Sequence, residues 1–348
     1  MQKVTINDIA RTAGVSVGTV SKVLNGDTSV KQKNRDAVQQ AVLLLGYNVN
    51  KVARSLAHKP IKIGIMLPSA FETYFDSMRR GIEQVIHSLA DYKVEAVYRN
   101  YAKFDDDQKV IECLDAFISQ NVNGILLGPL HRMGGYESIL SVLQACKIPV
   151  VLIVSEFSCA NRLACVSIDA ALSGKTAAEL AALAVPVDFD VAVFVGNKDV
   201  EEHRIKAESF CQRITQLQRN AIGIFETQDE PELAFLLAMN IIKQSPRLRL
   251  IYVATGNSVA VCKAICSCGK QEEIRVIATD LLNGLQPYIE QGIVIGTLDQ
   301  HFEEQGAVAV TTLYQYLAEG VLPQAEIKIA PSVLLQSGML EKMSIEMK

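Results

Sequence analysis

An all-α headpiece, joined by a short connector to an α/β body of two doubly wound parallel lobes, is the architecture that this 348-residue sequence predicts. Three observations carry that reading. Two short amphipathic segments meet at Gly14 near the start of the chain. From Ile61 onward, apolar runs of strand length alternate with polar loops and amphipathic helices, the texture of parallel sheets covered on both faces. Charge divides at the same place: residues 1–60 hold nine Lys or Arg against three acids, net +6, and the rest of the chain holds 25 basic and 35 acidic groups, net −10.

The first helix is expected over 6–13, with Thr5 as a cap whose hydroxyl accepts from backbone amides one turn on and Asp8 in favourable sense to the helix dipole. Gly14 ends it. Ser16 caps a second helix in which Val20, Val23 and Leu24 fall three and four apart, leaving Val17, Gly18, Ser21 and Lys22 on another face. Two short helices joined by a tight glycine turn make a helix-turn-helix, whose second helix enters the DNA major groove by its N-terminal end. A basic terminal module on an acidic body is the asymmetry expected when one part meets phosphate. A third helix over 31–45 places Ala37, Val38, Ala41, Leu44 and Leu45 at core spacing over the first two.

In the body, strands are expected over 61–67, 94–98, 124–127, 149–154, 191–195, 223–226, 250–254, 275–278 and 294–298. Helical stretches between them include 77–90, 107–120, 174–184, 202–217, 232–244 and 302–319. Ligands of open parallel sheets sit beyond the carboxyl ends of the strands, so a cleft between two lobes is the expected site.

The run from Val4 to Asn25, then Val30, a third helix stopping at Gly46-Tyr47, and Asn50 to Leu56 resemble, over about sixty residues without a gap, the DNA-binding headpiece of the lactose-repressor/galactose-repressor (LacI/GalR) family of bacterial transcription regulators. The resemblance implies a headpiece at 1–48, a hinge helix within 49–60, and an effector-binding, dimerising core at 61–341 of the periplasmic-binding-protein-like type. It places one lobe at about 61–163 and 297–323 and the other at about 164–296 and 324–341.

On the DNA side, Val17, Gly18 and Lys22 are the base-reading candidates, Lys22 as a donor to guanine. Thr5, Ser16, Thr19, Ser21 and Asn25 are candidate phosphate donors, with capping alone the alternative for Thr5 and Ser16. By resemblance, Asn50, Ala53 and Leu56 lie on the hinge helix, and Leu56 wedges into the minor groove where two copies kink the duplex. Val49 stands where the family usually has proline, so entry into the hinge is less rigidly preset.

The same resemblance implies effector contacts at Tyr74, Phe75, Lys206, Asn257, Asp280 and Gln300. Lys206 replaces an expected arginine, Ser209 the usual glycine and Gly256 the first member of an Asn-Asp pair; lysine keeps the charge but loses the bidentate fork, leaving Arg204 as another possible anchor. Asp169 is read as a helix cap or a cleft residue.

Eight scattered cysteines read as reduced thiols, since Cys262, Cys266 and Cys268 lack paired zinc spacing; no cofactor and no metal are expected. No triad, metalloprotease or phosphate-loop pattern supports an enzyme. No signal peptide or span of 18 apolar residues is visible, so a cytoplasmic protein with no membrane partner is expected. The partners implied are a pseudo-palindromic double-stranded operator, a second copy of the chain and a small effector, a sugar or sugar derivative; nine residues after Met339 favour dimer over tetramer. The alternatives are a nucleoside or other polar metabolite as effector, or a sugar-binding protein of the same core fold.

Overall fold

The computed structural model describes residues 4–24, 29–45, 60–69, 72–102, 107–130, 137–157 and 159–346. The chain divides at Pro60/Ile61 into a small and a large compact unit. Asn25, Asn50, Ala53, Leu56 and the hinge helix expected from the sequence lie outside the described residues.

The small unit holds α1 (Ile6–Ala13), α2 (Val17–Leu24) and α3 (Gln32–Leu44). Their apolar stripes meet in one core: Ile9, Val20 and Val38 are fully buried, with Ala10 and Ala41 beside them. Gly14 ends α1 in the left-handed region, φ 65°, and its N–H donates to the Ala10 carbonyl. α1 opens with a capping box between Thr5 and Asp8, in which the Asp8 carboxylate also accepts the Thr5 backbone N–H, at 2.9 Å, and the Thr5 hydroxyl, at 2.7 Å. Leu44 is not in the core; it is 79% exposed, because the step of four from Ala41 to Leu45 carries the stripe past it.

The large unit is built on two six-stranded sheets. The first contains β1 (Ile61–Pro68), β2 (Val94–Tyr101), β3 (Gly124–Leu127), β4 (Val150–Ile153), β5 (Arg162–Ile168) and β11 (Glu326–Ile329) in the order β11-β5-β4-β3-β1-β2, parallel throughout. The second contains β6 (Asp190–Val195), β7 (Asn220–Glu226), β8 (Leu248–Val253), β9 (Arg275–Thr279), β10 (Val294–Asp299) and β12 (Ser332–Leu335) in the order β12-β10-β9-β8-β6-β7, with only β12 antiparallel to its neighbour. Central strands β3 and β4 are buried along their whole length, as strands covered on both faces must be.

Helices α4 (Glu72–Ser88), α5 (Asp107–Ser119) and α6 (Glu137–Cys146) follow strands of the first sheet. Helices α7 (Ala170–Ala184), α8 (Glu201–Gln216), α9 (Pro231–Gln244), α10 (Ser258–Ser267) and α11 (Gln286–Glu290) belong with the second, and α12 (Phe302–Glu319) and α13 (Gln336–Glu346) close the chain. Backbones touch at the helix pairs that matter most. A Cβ on Gly174 of α7 would stand 2.2 Å from the Lys206 carbonyl oxygen of α8, and one on Gly306 of α12 would stand 2.3 Å from that of Met78 in α4.

Each lobe boundary falls a few residues later than expected. β5 pairs with β4 and β11 through Ile168, so the chain leaves the first sheet after 168 and not after 163. β10 stays in the second sheet through Asp299, and β11 holds the first sheet through Ile329. In each case the ladder runs on to the strand's carboxyl end, because ending earlier would strand buried backbone groups without partners. Three crossings result, and all gather beside the carboxyl ends of the strands.

Candidate functional site

Two surfaces carry the candidate residues. In the small unit, Ser16 caps α2 by accepting the Thr19 N–H at 3.2 Å, and its hydroxyl shares a 2.9 Å hydrogen bond with that of Thr19. Thr5, Ser16, Val17, Gly18 and Lys22 are exposed, with Thr19 and Ser21 half-buried, while Val20 faces the core. Val17, Gly18, Ser21 and Lys22 therefore share one outward face of a helix whose N-terminus is open. Val17, 44% exposed, is an apolar group that the core does not need.

In the large unit, a cavity opens between the two sheets at the carboxyl ends of their strands. From the first-sheet side come Phe75, Pro129, Val154, Ser155 and Phe302; from the other, Val200, Glu202, His203, Lys206, Asp229, Ala254, Thr255, Gly256 and Thr279, with Gln300 at a crossing. Phe75 and Phe302 face each other at 6.3 Å between ring centroids, tilted by 57°.

A hydrogen-bonded chain runs through the floor. Lys206, 2% exposed, donates from Nζ to Glu202 Oε1 one helical turn before it and to Gln300 Oε1 across the crossing. Gln300 Nε2 donates to Asp280 Oδ2 at 2.6 Å and its backbone N–H to Asp280 Oδ1 at 2.9 Å. Behind this, Gln305 donates to the Gln300 carbonyl at 2.8 Å. Burial works against charge on Glu202, but the Lys206 ammonium, with His203, holds its carboxyl below the ordinary value. Burial raises Asp280 to about 6, outweighing the two hydrogen bonds from Gln300. Asp229 is also raised to about 6, first by burial and then by neighbouring Glu230.

Of the six effector residues expected, Phe75, Lys206 and Gln300 line this cavity. Asp280 supports Gln300 from behind, and Asn257 turns to Thr227, its Nδ2 donating at 2.8 Å beside a separate hollow on the second lobe. Tyr74 lies on α4, and its side chain is outside the described residues. Arg204 is half exposed and pairs with Glu208 and Glu201 on the outer face of α8, away from the cleft. Asp169 caps α7, accepting the Leu172 N–H at 2.8 Å. Sequence reasoning passed over Glu202, Asp229 and Thr255, although Asp229 and Thr255 follow β7 and β8 at the position where parallel sheets present ligand contacts. The eight cysteines are free, and no group of metal-ligating side chains occurs among the described residues.

A two-lobed α/β core with an inter-lobe cavity, on a chain that begins with a helix-turn-helix, is the class that this geometry defines. Residues 63–320 match the family model of the periplasmic binding protein domain, and residues 5–50 that of bacterial regulatory proteins, lacI family. The chain belongs to this family of regulators, with a periplasmic-binding-protein domain as its core.

Among curated relatives, catabolite control protein A of Streptococcus mutans is 26% identical over 332 residues, covering 93% of this chain and 94% of that protein. The protein of the same name from Staphylococcus xylosus is 31% identical over 213 residues, 60% of this chain; the alignment spans 54% of that relative's length. Among solved structures, a periplasmic ribose ABC transporter protein from Conexibacter woesei superposes with a TM-score of 0.73 at 18% identity, covering 82% of this chain and 95% of that one. A periplasmic solute-binding protein from Actinobacillus succinogenes with bound D-allose gives 0.70 at 18% identity, covering 81% and 100%. These likenesses establish the fold of the core. No helix among the described residues is long and apolar enough to cross a membrane.

Proposed function

We propose that this protein is a ligand-responsive transcription regulator that acts as a repressor in the cytoplasm, binding a pseudo-palindromic operator as a homodimer. The observation that carries the reading is the pairing, in one chain, of an outward α2 face bearing Val17, Gly18 and Lys22 with a two-walled cavity whose floor is buried and hydrogen-bonded. One headpiece reads one half-site, so a palindrome calls for two chains. Lys22 donates to guanine, while Thr5, Ser16, Thr19, Ser21 and Asn25 face phosphates. Asn50, Ala53 and Leu56 form the hinge, Leu56 wedging into the central minor-groove step.

A small polyhydroxylated effector, a sugar or derivative, occupies the cleft. Phe75 and Phe302 cover its apolar face, and Lys206, Gln300 and the carboxylates serve its hydroxyls. Asn257 and Asp280 hold the walls from behind. Gln300 joins the Lys206 side of the cavity to Asp280 at a crossing, so a ligand that rearranges the floor alters the angle between lobes and the spacing of the hinge helices. The protein carries out no chemistry of its own; its work is binding. Induction by release of DNA is the favoured sense.

The reading is tested on an operator selected from random duplexes with the full-length protein. Leu56→Ala is expected to weaken operator binding roughly tenfold or more while affecting random DNA little. Equal losses on both remove the wedge from the account.

A further inference from the structure

Resting on the reading of the cleft as an effector site, we infer that its ligand carries an ammonium group, and that Asp229 is the residue that selects it: the class is an amino sugar or another aminated polyol. Among the described residues, Glu202, Lys206 and Asp229 bring charge to the cavity, with His203 beside them. Lys206 is committed, with two of its three donors spent on Glu202 and Gln300, and its charge is cancelled at contact by Glu202. His203 accepts the Asn197 N–H at Nδ1, 3.2 Å away, and its electrostatic effect falls on Glu202. That leaves Asp229 as the carboxylate that, among the described residues lining the cavity, has no hydrogen-bond or contact ion-pair partner, Lys206 acting on it only at a distance.

Its position is fixed by the backbone. Asp229 adopts φ 56°, and its carboxylate lies over Gly196 so closely that a Cβ there would sit 2.1 Å from Oδ1. No side chain larger than glycine fits beneath it, and the group is held at the cavity wall instead of turning into solvent. Burial already opposes its charge, raising its carboxyl to about 6, and a cation brought beside it relieves that opposition. The opposite wall suits the same ligand, since Phe75 and Phe302 supply aromatic rings to the lining and an ammonium is attracted to a ring face. An anionic sugar, by contrast, would meet a carboxylate with no contact partner and a lysine already paired with Glu202.

Isothermal titration of the full-length protein with matched pairs tests this: D-glucosamine against D-glucose and N-acetyl-D-glucosamine, and D-galactosamine against D-galactose, with D-glucose 6-phosphate as the anionic member. The amines are expected to bind about tenfold or more tighter than their neutral twins, the scale of one charge-assisted hydrogen bond. Asp229→Asn is expected to abolish the preference and Asp229→Glu to keep it, with both variants retaining the wild-type circular dichroism spectrum. Neutral or phosphorylated sugars binding as tightly as the amines overturn the inference while leaving the cleft as a sugar site, as does an amine preference that survives in Asp229→Asn. Failure of every sugar to bind overturns both the inference and the reading of the cleft.

Discussion

The two walls of the cleft are built for different tasks. The wall on the first-sheet side is largely apolar, with Phe75, Pro129, Val154 and Phe302 contributed by helix starts and by turns after β3 and β4. The opposite wall is charged, and its residues Glu202 and Lys206 lie one turn apart on α8, where helical spacing sets their contact before any ligand arrives. An apolar wall supplies area without direction, and a charged wall supplies direction at the cost of burial. The pairing teaches that selectivity resides in the second lobe and that the first lobe acts as a cover.

The largest expected effect comes from breaking the charged wall. Lys206→Met leaves Glu202 buried without its cation and is expected to cost about 3 kcal/mol or more, measured by urea denaturation of the full-length protein. Adding Glu202→Gln to Lys206→Met is expected to restore most of that loss. A double variant as unstable as the single one would mean that packing, and not charge, makes Lys206 necessary.

A pH series sharpens the same contrast. Asp229 and Asp280 have folded values raised to about 6 from 3.8, so each favours the folded state fully below about pH 4 and loses that contribution as pH climbs through 6. Glu202 and Asp299, held below their ordinary values, act in the opposite sense at lower pH. The signature is therefore a difference: Asp229→Asn should gain stability relative to wild type between pH 4 and 7, by about 1–2 kcal/mol. A constant gap between the two proteins across that range would remove Asp229 from the titrating set. Substitutions on the apolar wall should leave this profile unchanged.

The smallest effect lies in the small unit, where structure depends on caps and not on buried charge. Ser16→Ala removes the acceptor of the Thr19 N–H and is expected to lower the stability of α2 by about 1 kcal/mol, read as faster amide exchange in residues 17–20 of the intact protein. Unchanged exchange would show that the hydroxyl is not needed as a cap.

Residues differ in how much of this was legible in sequence. β3 over Gly124–Leu127 is legible to the residue, because a strand buried on both faces is a continuous apolar run. β5 is not legible: Arg162–Ile168 mixes Arg, Ala, Cys and Ser, and its place is set by ladders to β4 and β11 that no local pattern announces. The edge strands β11 and β12, four residues each and only partly buried, were passed over for the same reason. In the site, Phe75, Lys206 and Gln300 came from family resemblance and do meet at the cavity. Asp280 and Asn257 came from the same source but stand one layer back, because Gln300 and Thr227 take their hydrogen bonds. Asp229 left no motif; it reaches the cavity through a left-handed turn made possible by Gly196 on another strand end.

The most direct test of the account is operator affinity of the full-length protein, followed by fluorescence anisotropy with the cleft empty and then saturated by the tightest sugar of the titration panel. A shift of about fivefold or more is expected on operator DNA, none on random duplex, and loss of the shift in Lys206→Met even at saturating ligand. Operator affinity that stays the same with the cleft demonstrably full would contradict it.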